Sequence, residues 1–277
     1  MLKFGERGYW DQRYIDDAEA TSSFQLFDWY APFDSCYPTI ESMIDFSKEH
    51  RVLIIGVGKS GSIETLYKKG FRNIVAIDIS PTLIRQMQQK YISYSGVEFM
   101  CVDVRKMSIF PDKSFTVVID KACLDALFCE INYVESVKEA LSEIFRVMAA
   151  EALFTSVSHA SPLARVPYLR QIPWAVEVLP LPFGCGEGLS CYAIVRTEDV
   201  TLLTKRVKGS EFANQAKSGK TVMSLKQQMN KVSTVKTPAN MGSLTVTASP
   251  DLLVDLVRRN ASEGDEALLR GGKQKGP

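Results

Sequence analysis

Short β-branched runs and helical stripes follow one another along the first two thirds of the chain. Residues 51–55 form an apolar run that ends in glycines. Ile63, Leu66 and Tyr67 then fall on one helical face over 62–69, and Gly70 is placed to end it. A second strand is predicted at 73–77, closed by Asp78. Ser80 and Pro81 have the right chemistry for a helix cap and first position, and Leu83, Ile84, Met87 and Tyr91 continue that helix. A third strand at 97–102 ends at Asp103, and a fourth at 115–119 ends at Asp120. Residues 133–148 carry a long amphipathic stripe with Val134, Val137, Leu141, Ile144 and Phe145 inward, and 152–157 is a fifth strand. A further helix is expected at 39–48. Residues 1–30 are aromatic and acidic with poor strand periodicity, so short capping helices are expected there.

Strands alternating with helices predict a parallel sheet covered on both faces. After residue 172 the alternation stops. Residues 174–179 and 190–195 read as two strands joined by a Pro/Gly-rich loop with no helix, hence an antiparallel ending. The expected fold is α/β: a Rossmann-like, doubly wound, mostly parallel seven-strand sheet with an antiparallel last strand and a short N-terminal helical cap. Residues 1–196 would form this domain, with 1–30 as the cap. Residues 197–277 read as an extension, with helices at 221–228 and 250–259 and a frayed end from 260.

Composition changes the picture only at the ends. The 277 residues are 45% apolar and carry a net charge of +1. Residues 201–277 hold 13 basic and 6 acidic side chains, and the rest 20 and 26, so an acidic body carries a basic extension. Contact with nucleic acid or an acidic protein is conceivable for such a segment, but a solvated tail is the expectation. No secretory leader or membrane span is expected. The six cysteines form no CxxC pair and are expected to be reduced, in the cytoplasm. With two histidines and no ligand spacing, no metal site is expected. His50 reads as a helix end and His159 as a loop residue.

The chemistry gathers at strand ends. Gly56-Val57-Gly58-Lys59-Ser60-Gly61 fits G-x-G-x-x-G between a strand and a helix, where glycines let a ligand approach the backbone. Asp78 lies 20 residues beyond Gly58 at the end of the next strand, where a carboxylate can accept hydrogen bonds from both ribose hydroxyls of an adenosine. This pair does not separate a nicotinamide dinucleotide from S-adenosylmethionine. Asp103, at the position for an adenine amine, and the terminal strand pair favour S-adenosylmethionine by fold analogy.

Three blocks carry a resemblance: Tyr9-Trp10-Asp11-Gln12-Arg13-Tyr14, Phe27-Asp28-Trp29-Tyr30, and Val118-Ile119-Asp120-Lys121-Ala122-Cys123-Leu124-Asp125-Ala126. Over residues 5–196 the chain resembles the methyltransferase-like 13 group, and within it the elongation factor 1-alpha lysine methyltransferase 4 type. The resemblance implies an S-adenosylmethionine site and a protein-lysine acceptor on an elongation factor 1-alpha-like substrate. Trp10, Tyr14 and Trp29 would fold over the cofactor. Gly56 and Gly58 would line its methionine side, Asp78 and Ile79 the ribose, Asp103 and Val104 the adenine, and Lys121 the reactive end. Asp120 is the expected catalytic residue, positioning the amine and escorting its proton.

The chain departs from the family in three places, one of them Val57, where the family often has Cys or Ser between the first two glycines. Lys-Ala-Cys-Leu-Asp-Ala stands where the family has Lys-Gly-Thr-Leu-Asp-Ala, and Met148-Ala149-Ala150-Glu151 replaces a Pro-Gly-Gly turn. A small-molecule or RNA acceptor and a silent cofactor-binding module are the rival readings. The Asp/Asn-Pro-Pro-aromatic motif of amino-group nucleic-acid enzymes is absent, as is a Pro-Cys nucleophile. A monomer is expected.

Overall fold

In a computed structural model, the structure describes residues 4–21, 23–46, 49–182, 185 and 188–196. The extension from 197 onward, with its two expected helices, lies outside the described residues.

Four mostly apolar strands, buried along most of their length, build the parallel middle of the sheet. These are β1 (Val52–Ile55), β2 (Ile74–Asp78), β4 (Phe115–Lys121) and β5 (Met148–Ser158). Every residue of β1 and β2 is buried, as befits parallel strands covered on both sides. The outer strand β3 (Val97–Cys101) buries only Phe99. With β6 (Ala175–Leu179) and β7 (Ser190–Val195) the order is β3-β2-β1-β4-β5-β7-β6. All neighbours from β3 to β5 are parallel, and β7 runs antiparallel between β5 and β6. The reversed strand, the last in sequence among the described residues, is therefore interior to the sheet.

The helices seal both faces. On one side α2 (Phe33–Glu41), α3 (Ser62–Lys68) and α4 (Pro81–Lys90) bury Ile40, Leu66 and Leu83 with Ile54 and Ala76. On the other, α6 (Tyr133–Val147) sends Val137, Leu141 and Ile144 against Leu53, Val118 and Phe154. Ser80 caps α4 by accepting from the Leu83 N–H at 3.1 Å, as its sequence predicts. The capping segment forms one helix, α1 (Arg7–Ala20), tied to α4 by Asp11, which accepts from the Ser80 hydroxyl and the Thr82 N–H.

Several local expectations change. The helix expected at 39–48 begins earlier and stops at Glu41, because the apolar anchors Phe33, Cys36 and Tyr37 lie upstream of it. Two short helices were not predicted: α5 (Cys123–Leu127) and α7 (Pro162–Leu169). The segment 148–151 is not a turn. It belongs to β5, with Glu151 at φ 58° where the register against β4 shifts.

Candidate active site

The carboxyl ends of β1 to β4 open into one cavity, roofed by the segment from Phe4 to Phe33. Ligands of open α/β sheets bind at such strand ends. Trp10, Tyr14, Trp29, Gly56, Gly58, Asp78, Ile79, Asp103, Val104 and Lys121 all contribute to its wall.

The glycine turn is shaped by close approach. Gly56 and Gly58 both have φ near +55°, a conformation that costs other residues. A Cβ on Gly56 would stand 2.6 Å from the Cβ of Cys123, so any side chain there would collide with α5. Gly58 turns its N–H onto Asp78 Oδ2 at 3.1 Å, while Oδ1 accepts from the Ser80 N–H at 3.1 Å. Asp78 is buried, and among the described residues no cation pairs with it. Burial pushes its carboxyl up to about 6, against the lowering effect of backbone donors from Ser80, Gly58 and Ile79. A buried carboxylate on a cavity wall with backbone partners alone suits a neutral diol such as a ribose.

Asp103 is placed differently. Arg105 grips both of its oxygens, with Nη2 at 2.7 Å from Oδ2, and also pairs with Glu130 at 2.8 Å. It lines the cavity as half of an ion pair, beside Val104.

The roof is aromatic. Trp10 stacks near Tyr14 at 6.2 Å between ring centroids and meets Trp29 edge-on at 6.1 Å. Phe4, Phe27, Tyr30 and Phe33 continue the wall. Such a lining fits a sulfonium, since aromatic faces attract cations by roughly 0.5–2 kcal/mol.

Asp28, which the motif reading left without a role, fastens this roof. It accepts from the Ser60 hydroxyl at 2.6 Å, from the Gly61 and Phe33 N–H groups at 3.2 Å, and pairs with Lys121 at 2.9 Å. Lys121 also donates to the Trp29 carbonyl at 2.6 Å. The ammonium at the end of β4 thus holds the segment that carries Trp29.

Asp120 departs from its expected role. It is 1% exposed and does not line the cavity. Its Oδ1 accepts from the Cys123 and Leu124 N–H groups, and Oδ2 from the Ser156 hydroxyl at 2.6 Å. Its carboxylate faces protein donors, so this geometry makes it an anchor for the start of α5 rather than a group that meets an acceptor. Burial raises its carboxyl to about 7, although the Ser156 bond opposes the rise.

A second network starts in the wall and runs back into the protein. Asp125 accepts from the Tyr30 hydroxyl at 2.8 Å and the Ser158 hydroxyl at 2.7 Å, and forms an ion pair with Arg165. The edge of His159 packs on Tyr30 at 4.3 Å. Tyr30 and Asp125 lie within motif blocks, but nothing in the spacing links Asp125 to an arginine 40 residues on.

A family model described as "Methyltransferase domain" matches residues 53–155. The chain is 31% identical over 171 residues to the mouse "EEF1A lysine methyltransferase 4", a match that covers 59% of this chain and 64% of that protein. It is 32% identical over 161 residues to the human "eEF1A lysine and N-terminal methyltransferase", covering 57% of this chain and 22% of that one. The chain therefore spans under two thirds of both relatives. Among solved structures, 1,6-didemethyltoxoflavin-N1-methyltransferase from Burkholderia thailandensis, with bound S-adenosylhomocysteine, superposes with a TM-score of 0.50 at 14% identity. That match covers 70% of this chain and 87% of the other, and shows the shared fold. Residues 53–155 thus match a methyltransferase domain, and the buried Asp78, glycine turn and aromatic roof fit S-adenosylmethionine as a cofactor.

Proposed function

We propose that this chain, which matches a methyltransferase domain over residues 53–155 and resembles the lysine methyltransferases named for elongation factor 1-alpha, is itself an S-adenosylmethionine-dependent protein-lysine methyltransferase. The proposed acceptor is an elongation factor 1-alpha-like protein. The observation that carries the reading is Asp78: a buried carboxylate, without a cation partner among the described residues, beside a positive-φ glycine turn and under an aromatic roof.

Bound S-adenosylmethionine supplies a methyl group activated by a sulfonium. The residues of this chain position the partners, as in-line transfer demands. In this reading Asp78 and Ile79 hold the ribose, Asp103 and Val104 flank the adenine, and Gly56 and Gly58 admit the methionine portion. Trp10, Tyr14 and Trp29 cover the sulfonium and exclude water. Lys121 keeps the roof closed through Asp28 and Trp29 near the reactive end. Asp120 acts through α5, whose first turn it anchors.

A lysine amine must arrive neutral. From an ordinary pKa near 10.4, deprotonation at pH 7.4 costs about 4 kcal/mol. Burial and a neighbouring sulfonium charge both reduce that cost. A cytoplasmic location and a monomeric state belong to the same proposal, and six free thiols suit a reducing compartment.

The test is incubation with radiolabelled S-adenosylmethionine and purified elongation factor 1-alpha, then with whole lysate. Label on lysine of one protein, lost with Asp78→Ala, is the expected result. Tight cofactor binding with label only on RNA or small molecules would overturn the protein-lysine assignment.

A further inference from the structure

The cavity wall divides into two parts. The ends of β1, β2 and β3 supply the glycine turn, Asp78 and Asp103. The end of β4 and the strap at residues 28–33 supply a wall whose chemistry the cofactor does not need. Tyr30 and Asp125 both belong to this second part.

Their bonding is directional. The Tyr30 hydroxyl donates its only proton to Asp125 Oδ2 at 2.8 Å. The phenol oxygen can then act toward the cavity only as an acceptor. Asp125 is fixed in turn by the Ser158 hydroxyl and by Arg165, which is 1% exposed. The Arg165 guanidinium lies over the Phe128 ring at 3.8 Å. The carboxylate is therefore neutralised from behind, and the wall offers an acceptor without a net negative charge.

Tyr30 also holds φ 71°, a conformation unfavourable for a tyrosine. Backbone strain of this kind clusters at sites where one side chain must point in one direction. The edge-on contact with His159 fixes the ring plane as well.

We propose that Tyr30 is the residue that receives the acceptor amine, taking one N–H on its phenol oxygen so that the nitrogen lone pair faces the methyl position. Asp125 and Arg165 are positioning residues that fix the direction of that phenol. An acceptor without net charge orients an amine without locking it as ammonium, which a bare carboxylate would do. The inference rests on the reading of this cavity as an S-adenosylmethionine site, and it adds a preference for nucleophiles that bring an N–H.

The experiment compares two ligands by calorimetry on the full chain. S-adenosylhomocysteine stops at the sulfur, whereas a bisubstrate analogue with a short alkylamine in place of the methyl carries an N–H beyond it. In Tyr30→Phe, the affinity of the alkylamine analogue is expected to fall about tenfold, the size of one lost hydrogen bond to a charged group, with S-adenosylhomocysteine unchanged. Phenylalanine keeps the ring and its contact with His159, and a melting temperature within a few degrees of wild type verifies the fold. An unchanged ratio of the two affinities would overturn the proposal. So would an equal loss for both ligands, which would make Tyr30 a plain part of the cofactor roof. Failure of the wild-type chain to bind either ligand would instead overturn the cofactor reading on which the inference rests.

Discussion

The two parts of the cavity wall are built by different means. Around Asp78 the work is done by backbone: two glycines at positive φ, N–H groups from Gly58 and Ser80, and one carboxylate with no counter-ion among the described residues. Around Tyr30 it is done by side chains, with Asp125 and Arg165 paired and buried among Ser158 and Phe128. A backbone cradle is fixed by a few neighbouring residues. A side-chain network needs several distant elements to arrive together, so the second part should be the more fragile and the more specific.

The largest expected effect tests that fragility. Arg165→Met leaves Asp125 buried and unpaired, and unpairing such a charge typically costs about 3–5 kcal/mol. We expect about 3 kcal/mol in urea unfolding, because Tyr30 and Ser158 still donate to the carboxylate. A loss under about 1 kcal/mol would mean that the network contributes little to stability.

The cradle should respond in binding instead. Asp78→Ala removes a carboxylate placed for two hydroxyls, and each such bond contributes about 1.5 kcal/mol or more. S-adenosylhomocysteine affinity should fall about 100-fold in calorimetry, with little loss of stability. If stability collapses as well, the cradle depends on its side chain more than its backbone geometry indicates.

Burial raises the carboxyls of both Asp78 and Asp120, so substitution is needed to assign the titration. Burial raises the Asp120 carboxyl from 3.8 to about 7. The folded state therefore binds this proton more tightly than the unfolded chain does, and its contribution to stability is lost as pH climbs from about 4 through 7. Asp120→Asn should flatten the fall in melting temperature across that window. A mutant profile parallel to wild type would remove Asp120 as the titrating group.

The smallest effect concerns the strand end itself. Ala122 sits at φ 72°, where the resembling family places glycine. The departure changes the side chain and leaves a left-handed backbone. Ala122→Gly should stabilise the chain by about 1 kcal/mol in urea unfolding. Destabilisation would show that the Ala122 methyl packs better than its backbone strain costs.

Legibility in sequence follows the same division. The strands, the glycine turn, Asp78 and the Ser80-Pro81 helix start are local patterns, and each could be read from a few consecutive residues. The sheet order at the far edge was legible only as an antiparallel ending. Nothing local announces that β7 enters between β5 and β6. Helix α5 was missed because it spans five residues and is fastened at its start by Asp120, a side chain from the preceding strand. That bond also explains why Asp120, conspicuous at a strand end, looked like a group for an acceptor. Helix α7 contains two prolines, which argue against a helix by propensity, yet one occupies its first turn and buried Val166 and Leu169 hold it to the core. Tyr30 and Asp125 stood in recognisable blocks, but their pairing across 95 residues is a property of the fold alone.

The insertion of β7 also bears on how the chain is made. β6 pairs with β7, which in turn pairs with β5. During synthesis β6 leaves the ribosome with no sheet partner, and β5 presents an open edge, until residues 190–195 emerge. The step that closes the sheet is thus the last strand sliding between two waiting ones. Nascent chains stalled before that point would expose the apolar edge of β5, the kind of surface that chaperones shield and that seeds aggregation.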